Sequence, residues 1–203
     1  MKIWMQGAFV VAAAVALCGA TAQAQTDVAL SGYRTFTSSS SGFGTEQTPS
    51  NSEGGLMEVR HIVNPLVGFE FAYSFNPANE TYTTTGAYNP VYPATSLTVN
   101  GKANEVSIDW EVSVKKGSVR PFALGGIGMM ITVPGSSPYS VNTVVRPAFI
   151  YGGGLDWGFL PHFGLRLQFR GNMTKAPQLS DPFPSTTKYT QIYEPMGGVF
   201  YRF

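Results

Sequence analysis

Charged side chains are scarce in this chain: they make up 12% of its 203 residues, about half the share of an ordinary soluble domain. Beyond residue 24, 12 of the 13 Lys and Arg residues are offset by all 12 Asp and Glu residues, so the net charge there is 12 − 12 = 0. Such a balance disfavours nucleic-acid binding, which needs a basic excess or patch. The single cysteine, Cys18, leaves no pair for an internal disulfide.

Long apolar runs are also lacking. The clearest one, residues 8–17, follows Lys2 and precedes the cleavage-site pattern Ala22-Gln23-Ala24, in which small residues flank a glutamine. This order is typical of a secretory signal peptide and predicts cleavage between Ala24 and Gln25. The run is shorter than the roughly 20 residues that a transmembrane helix needs. We therefore expect export, with a signal peptide at 1–24 and one domain after it.

Three segments alternate strictly between apolar and polar or small residues. Leu66–Asn76, LVGFEFAYSFN, places valine, tyrosine and three phenylalanines at every second position. Ala103–Lys115 and Phe163–Met173 follow the same rule. A period of two over about ten residues predicts β-strands long enough to cross a bilayer at a tilt. A helix would instead spread these apolar residues around its circumference.

Five weaker segments complete a set of eight predicted strands. They are Val28–Phe36, Leu56–Val63, Val119–Thr132, Arg146–Phe159 and Tyr189–Phe203. The facing of the first and fifth strands stays open, because both of their faces mix apolar and small residues.

The connections between the predicted strands alternate between long polar segments and short turns. Membrane barrels show this pattern because their external loops are long and their periplasmic turns are tight. We therefore predict an all-β, eight-stranded, antiparallel up-and-down transmembrane β-barrel over residues 25–203. The alternative is a soluble β-domain such as a lipocalin, which has no reason to alternate so regularly.

The chain ends in MGGVFYRF, with Val199, Tyr201 and Phe203 at alternate positions. This ending resembles the C-terminal signature of outer-membrane barrel proteins, in which the barrel-assembly machinery reads the last strand. Together with the Arg-Pro-Phe start of the fifth strand at 120–122, it resembles the small OmpA/OmpX/opacity-type barrel domain. The resemblance implies a monomer in a Gram-negative cell outer membrane, in contact with lipid and lipopolysaccharide. Pro195 departs from an ideal strand and predicts a bulge.

The predicted inward face carries a balanced set of charges. An eight-stranded barrel is just wide enough inside for side chains to fill it, and charges there must pair or bind water. We therefore expect a salt-bridged plug, with a narrow, porin-like, low-conductance ion path as the alternative. The residues are Glu58, Arg60, Glu70, Asp109, Glu111, Asp156, Arg166, Arg170, Glu194 and Arg202.

Two histidines, His61 and His162, map to the periplasmic rim of the predicted barrel. Outer-membrane enzymes that act on lipid A hold their catalytic residues at the opposite, outer-leaflet side, so the sequence predicts no enzyme, no cofactor and no metal site. We expect a structural or surface-interaction role for the long extracellular loops. Their tyrosines could form a binding surface, although loop packing is the simpler interpretation. They are Tyr82, Tyr88, Tyr92 and Tyr139.

Overall fold

The computed structural model describes residues 25–84, 96–136, 140–184 and 186–203. The predicted signal peptide, including Ala24, lies outside these ranges, as do Tyr88, Tyr92 and Tyr139. Among the described residues, no helix has the length and apolar character needed to span a membrane.

Eight long antiparallel strands close into a barrel, each joined to its sequence neighbour and the last joined to the first. Every one covers most or all of a predicted segment, so the prediction of an eight-stranded up-and-down barrel is confirmed. Numbered along the chain together with four shorter strands described below, they are β1 (Gln25–Thr37), β4 (Ser52–Ile62), β5 (Val67–Pro77), β8 (Gly101–Ser113), β9 (Val119–Pro134), β10 (Val144–Gly158), β11 (Phe163–Lys175) and β12 (Tyr189–Arg202).

Closure depends on the pairing of β1 with β12. Val28 lies opposite Tyr201, and the backbone N–H of Phe203 donates to the carbonyl of Thr26 at 3.0 Å. Closure matters because an unpaired strand edge in hydrocarbon leaves backbone groups without any hydrogen-bonding partner.

The predicted bulge at Pro195 is wrong. Pairing between β1 and β12 stops after Tyr33 and Met196 and resumes at Phe36 and Tyr193. Two residues lie between these pairs on each strand, so neither strand contains an extra residue. Proline has no N–H to donate, and the ladder is interrupted there without a change of register.

The two faces of the barrel wall meet opposite environments. Outward side chains are apolar and accessible, as in Trp110 with 50% exposure and Leu167 with 60%. Inward side chains at alternate positions are buried and charged, as in Asp109 and Arg166. A soluble β-domain would have these apolar residues inside, so that alternative is excluded.

Four short strands form a second sheet beyond the end of the barrel that carries the long connections. In the order β2-β3-β6-β7, they are β2 (Ser40–Gly42), β3 (Thr45–Pro49), β6 (Glu80–Thr84) and β7 (Ser96–Val99). We call this sheet, with the described residues of the segment 176–188 packed on it, the cap. Its apolar core consists of Tyr82, Val99, Leu179 and Phe183.

The predicted loops gave no sign of this sheet. The sequence predicts polar connections there, because strands of three to five residues are too short to show a clear alternation of apolar and polar residues.

Candidate functional site

The barrel interior is the most chemically distinctive part of the molecule. All ten predicted interior residues line it, and all are buried except Arg202, which keeps 20% of its side-chain surface. The structure adds Asp27, Glu105 and Arg120. Asp27 and Arg120 lie on the two strands for which the sequence did not decide which face turns inward. Glu105 lies on the same face of its strand as Asp109, so the alternation could have identified it.

Arg60 joins strands from opposite sides of the lumen. Its Nη2 lies 2.5 Å from Oδ2 of Asp27, and its Nη1 lies 2.5 Å from Oδ2 of Asp156 and 3.0 Å from Oε2 of Glu111. The three carboxylates come from β1, β10 and β8, so one guanidinium ties together three separate parts of the wall.

Arg166 occupies the next level of the lumen. Its Nη2 lies 2.6 Å from Glu70 Oε2, its Nε lies 3.2 Å from Glu58 Oε2, and its Nη1 lies 3.3 Å from Asp156 Oδ1. The guanidinium also sits over the ring of Phe122, 4.1 Å from its centroid, where the face of the π-system attracts a cation.

Arg170 completes the series toward the cap. Its Nη2 lies 3.0 Å from both Glu105 Oε1 and Asp109 Oδ2, and it donates to the Ser107 hydroxyl at 2.5 Å. Its Nη1 lies 3.5 Å from Glu70, which also contacts Arg166. Shared carboxylates thus link the three guanidinium groups into one network, which we call the arginine ladder.

Small residues leave room for this network. A Cβ at Gly126 would collide with the carboxylate of Asp109, and one at Gly164 would collide with the ring of Phe200. The glycines in strand β9 and at the start of β11 therefore admit large partners into a narrow lumen.

Carboxylates outnumber guanidinium groups inside the barrel. Among the described residues, eight buried acids stand against four buried arginines and the partly buried Arg146 and Arg202. The acids are Asp27, Glu58, Glu70, Glu105, Asp109, Glu111, Asp156 and Glu194, and the arginines are Arg60, Arg120, Arg166 and Arg170. Several carboxylates must therefore share one cation, as they do around Arg166.

A small cavity of about 50 Å³ separates the ladder from the cap. Glu80, Arg146 and Glu194 line it. Burial raises the pKa of Glu80 in the cap to about 7, although a hydrogen bond from the Gln47 amide at 3.2 Å opposes the shift. Glu194 accepts a hydrogen bond from Asn172 at 3.2 Å.

The two histidines lie at the short-turn end of the barrel. His61 Nδ1 is 3.1 Å from the hydroxyl of Thr26, and His162 Nδ1 is 2.8 Å from the carbonyl of Arg202. Within the described ranges, no three His, Asp or Glu side chains are grouped so that they could hold a metal ion.

The C-terminal aromatic residues face outward at the same end. Val199, Tyr201 and Phe203 are 52%, 38% and 64% exposed, and Phe163 packs edge-on against Tyr201 at 5.0 Å between ring centroids. Aromatic rings at this position form the girdle expected at a membrane interface.

Tyr82 is the one loop tyrosine of the prediction that lies in the described part of the chain. Its side chain is buried, its ring stacks on Phe183 at 5.6 Å, and its hydroxyl accepts a hydrogen bond from the N–H of Leu179 at 2.8 Å. Tyr82 therefore packs the cap core and does not contribute to a binding surface.

Comparisons with known proteins yield no matching family model and no matching curated protein. Several solved structures are similar. The outer membrane protein OprG from Pseudomonas aeruginosa gives a TM-score of 0.59 at 12% identity, over 89% of this chain and 97% of that chain. Neisserial surface protein A (NspA) gives 0.58 at 13% identity, over 88% and 97%.

Ail, the attachment invasion locus protein of Yersinia pestis, gives a TM-score of 0.53 at 15% identity, over 89% of this chain and 99% of that chain, in a complex with the heparin analogue sucrose octasulfate. At such identities the likeness shows the fold, which is that of the small eight-stranded outer-membrane barrels. Together with the apolar exterior, it assigns the chain to a cell outer membrane.

Proposed function

We propose that this outer-membrane β-barrel acts at the cell surface through its cap and that its lumen does not conduct ions. The folded cap is the observation that carries the proposal. Two of the long connections form one sheet, in which β3 pairs with β6. The last long connection is hydrogen-bonded to that sheet. The cap therefore presents a fixed surface outside the cell.

Contacts between separate loops support a rigid cap. Gln47 donates to the carbonyl of Pro177 at 2.7 Å, and the hydroxyls of Ser40 and Thr186 are 2.9 Å apart. A surface that is ordered before it meets a partner loses less conformational entropy on binding. This favours a recognition role over that of a passive spacer.

The chemistry of the cap surface favours a neutral polar partner. Hydroxyl groups are abundant, and an exposed pair, Thr81 and Thr98, lies 2.9 Å apart across β6 and β7. Among the described residues of the cap, exposed charges of both signs are present, such as Glu46 and Lys188. The neutral sugars of lipopolysaccharide match this surface better than the sulfated ligand of the Ail complex does.

A variant that lacks the sheet of the cap tests the surface role. Short turns replace residues 39–50 and 79–100, and heat-modifiable mobility on unboiled gels checks that the barrel still folds. Cells that display the intact protein should be retained on immobilised lipopolysaccharide, and cells that display the variant should not. Immobilised heparin serves as the charged control. Equal retention of both cell types on lipopolysaccharide contradicts the proposal.

Closure of the lumen is supported by the arginine ladder, whose three guanidinium groups are at most 2% exposed. Protein reconstituted in planar bilayers should show no discrete openings. Steady openings that change on Arg166→Ala would favour the alternative of a low-conductance pore. Turnover of lipid A by the refolded protein would favour an outer-membrane enzyme instead.

Assembly is a separate expectation. We propose that the outward residues Val199, Tyr201 and Phe203 are read by the barrel-assembly machinery. Deletion of Phe203 should lower the amount of folded protein in the outer membrane while leaving export intact, and Phe203→Tyr should preserve it. Normal membrane levels of the truncated protein would contradict this role.

A further inference from the structure

A second charged region lies below the arginine ladder, at the short-turn end of the barrel. A cavity of about 260 Å³ opens there between the turn after β8, the turn after β10 and the end of β12. With the cap outside the cell, this end faces the periplasm. We call it the lower cavity, and its polar lining comes from Lys115, Ser118, Arg120, Asp156 and Arg202.

Arg120 lines this cavity without an ion pair to any carboxylate that the structure describes. Its side chain is 6% exposed, yet its Nε and Nη1 have no hydrogen-bonding partner in the described part of the chain. Asp156 lies directly opposite on the neighbouring strand. The two oxygens of Asp156 are already engaged by Arg60 at 2.5 Å and Arg166 at 3.3 Å. The ladder therefore takes the carboxylate that Arg120 would otherwise use.

Two further cations face the same cavity. Arg202 makes one ion contact, at 3.3 Å between its Nε and Oδ1 of Asp27. Its Nη1 lies 3.9 Å from the position of a Cβ on Gly158, which lines the cavity. Lys115 is exposed at the rim. Three cations thus surround a cavity whose one carboxylate is occupied elsewhere.

This arrangement is the reverse of the ladder above it. There, each guanidinium contacts two or more carboxylates, whereas Arg120 contacts none among the residues that the structure describes. A buried cation without a partner is unfavourable unless water or an anion completes its contacts. The lower cavity is much larger than the ~30 Å³ that one water occupies in the liquid, so it has space for an anion with several waters.

We infer that the lower cavity binds a phosphate group. The planar fork of an arginine fits two phosphate oxygens at once, Lys115 and Arg202 supply further charge, and the Ser118 hydroxyl can donate a hydrogen bond. The phosphate group can belong to a phospholipid headgroup of the inner leaflet or to a free phosphate in the periplasm. Both share the chemistry that this cavity recognises.

The test uses refolded protein in a nonionic detergent and measures its urea unfolding midpoint. One arm adds inorganic phosphate against sodium chloride of equal ionic strength. The other adds short-chain phosphatidylglycerol against short-chain diacylglycerol, which has no phosphate. A ligand that binds the folded barrel raises the midpoint saturably with its concentration, and the apparent dissociation constant follows from that curve.

Arg120→Gln should weaken this binding at least tenfold, and the exposed Arg34→Gln should leave it unchanged as a control for charge. Lys115→Gln at the rim should weaken the binding about threefold. This variant becomes the deciding one if the Arg120 variant does not refold. A response to phosphate identifies a soluble anion, and a response to phosphatidylglycerol alone identifies the headgroup. The inference fails if neither probe gives a saturable shift or if the apparent dissociation constant is unchanged in the deciding variant.

Discussion

The barrel and the cap sort their residues in opposite ways. In the barrel wall, Leu167 points outward and is 60% exposed, whereas Arg170 points inward and is 0% exposed. In the cap, Leu179 is 0% exposed, whereas Glu46 is exposed. One chain therefore builds a membrane protein with a polar interior and, directly above it, a small unit with an apolar core.

The difference comes from the surroundings and not from the strands themselves. Both regions are antiparallel sheets whose side chains alternate between two faces. Lipid surrounds the barrel, so its apolar face turns outward. Water surrounds the cap, so its apolar residues are buried. Substitutions that should be costly in one region and harmless in the other test this contrast.

The largest effect is expected at the centre of the arginine ladder. Arg166→Ala leaves Glu58, Glu70 and Asp156 without a cation that they share, which should cost about 3 to 5 kcal/mol of unfolding free energy. Urea unfolding in lipid vesicles, followed by tryptophan fluorescence, measures the loss. Arg34→Ala, on the exposed outer face, should lose little. Equal losses in the two variants would show that the ladder does not stabilise the barrel.

A charge on the outer wall should have the next largest effect. Leu167→Arg places a cation in the lipid-facing band and should cost roughly 2 to 4 kcal/mol if the site lies near the midplane. The same side chain introduced by Glu46→Arg, on the water-facing side of the cap, should have little effect. Unfolding midpoints in bilayers provide the measurement, and an unchanged midpoint for the Leu167 variant would show that this face does not meet lipid.

The smallest effect should be local to the cap and dependent on pH. In the folded cap Glu80 stays protonated up to about pH 7, whereas the unfolded segment loses its proton near the ordinary value of 4.5. The folded state thus binds more protons between these values, and cap stability should fall as pH rises through this window. The full loss, reached above about pH 7, is roughly 3 kcal/mol at most.

Hydrogen exchange of the β6 amides, corrected for the intrinsic pH dependence of exchange, follows this loss. Glu80→Gln should remove the dependence and leave the cap more protected at pH 8. Glu46→Gln, on the exposed face of the same sheet, serves as the matched control. If the wild-type cap is equally protected at pH 5 and pH 8, Glu80 does not carry the proton that the argument requires.

The sequence was most informative where the alternation was strict. The segments around Phe69, Trp110 and Leu167 fixed the facing of their strands, and five of the ten predicted interior residues lie on these three strands. The sequence did not decide which face of the strands of Asp27 and Arg120 turns inward, because both faces mix apolar and small residues. The interruption at Pro195 was foreseen, but its form was not, because a missing N–H does not determine whether a residue is inserted.

By itself, the sequence determined the number of strands in the barrel, their order and the side to which most of their residues point. These are local properties, because the alternation of a strand depends on immediate neighbours along the chain. The tertiary structure decided which charges meet. Arg60 and Asp156 are 96 residues apart and touch because closure and strand stagger bring distant strands to one level of the lumen. The same long-range geometry folded the loops into a cap and left Arg120 without a partner.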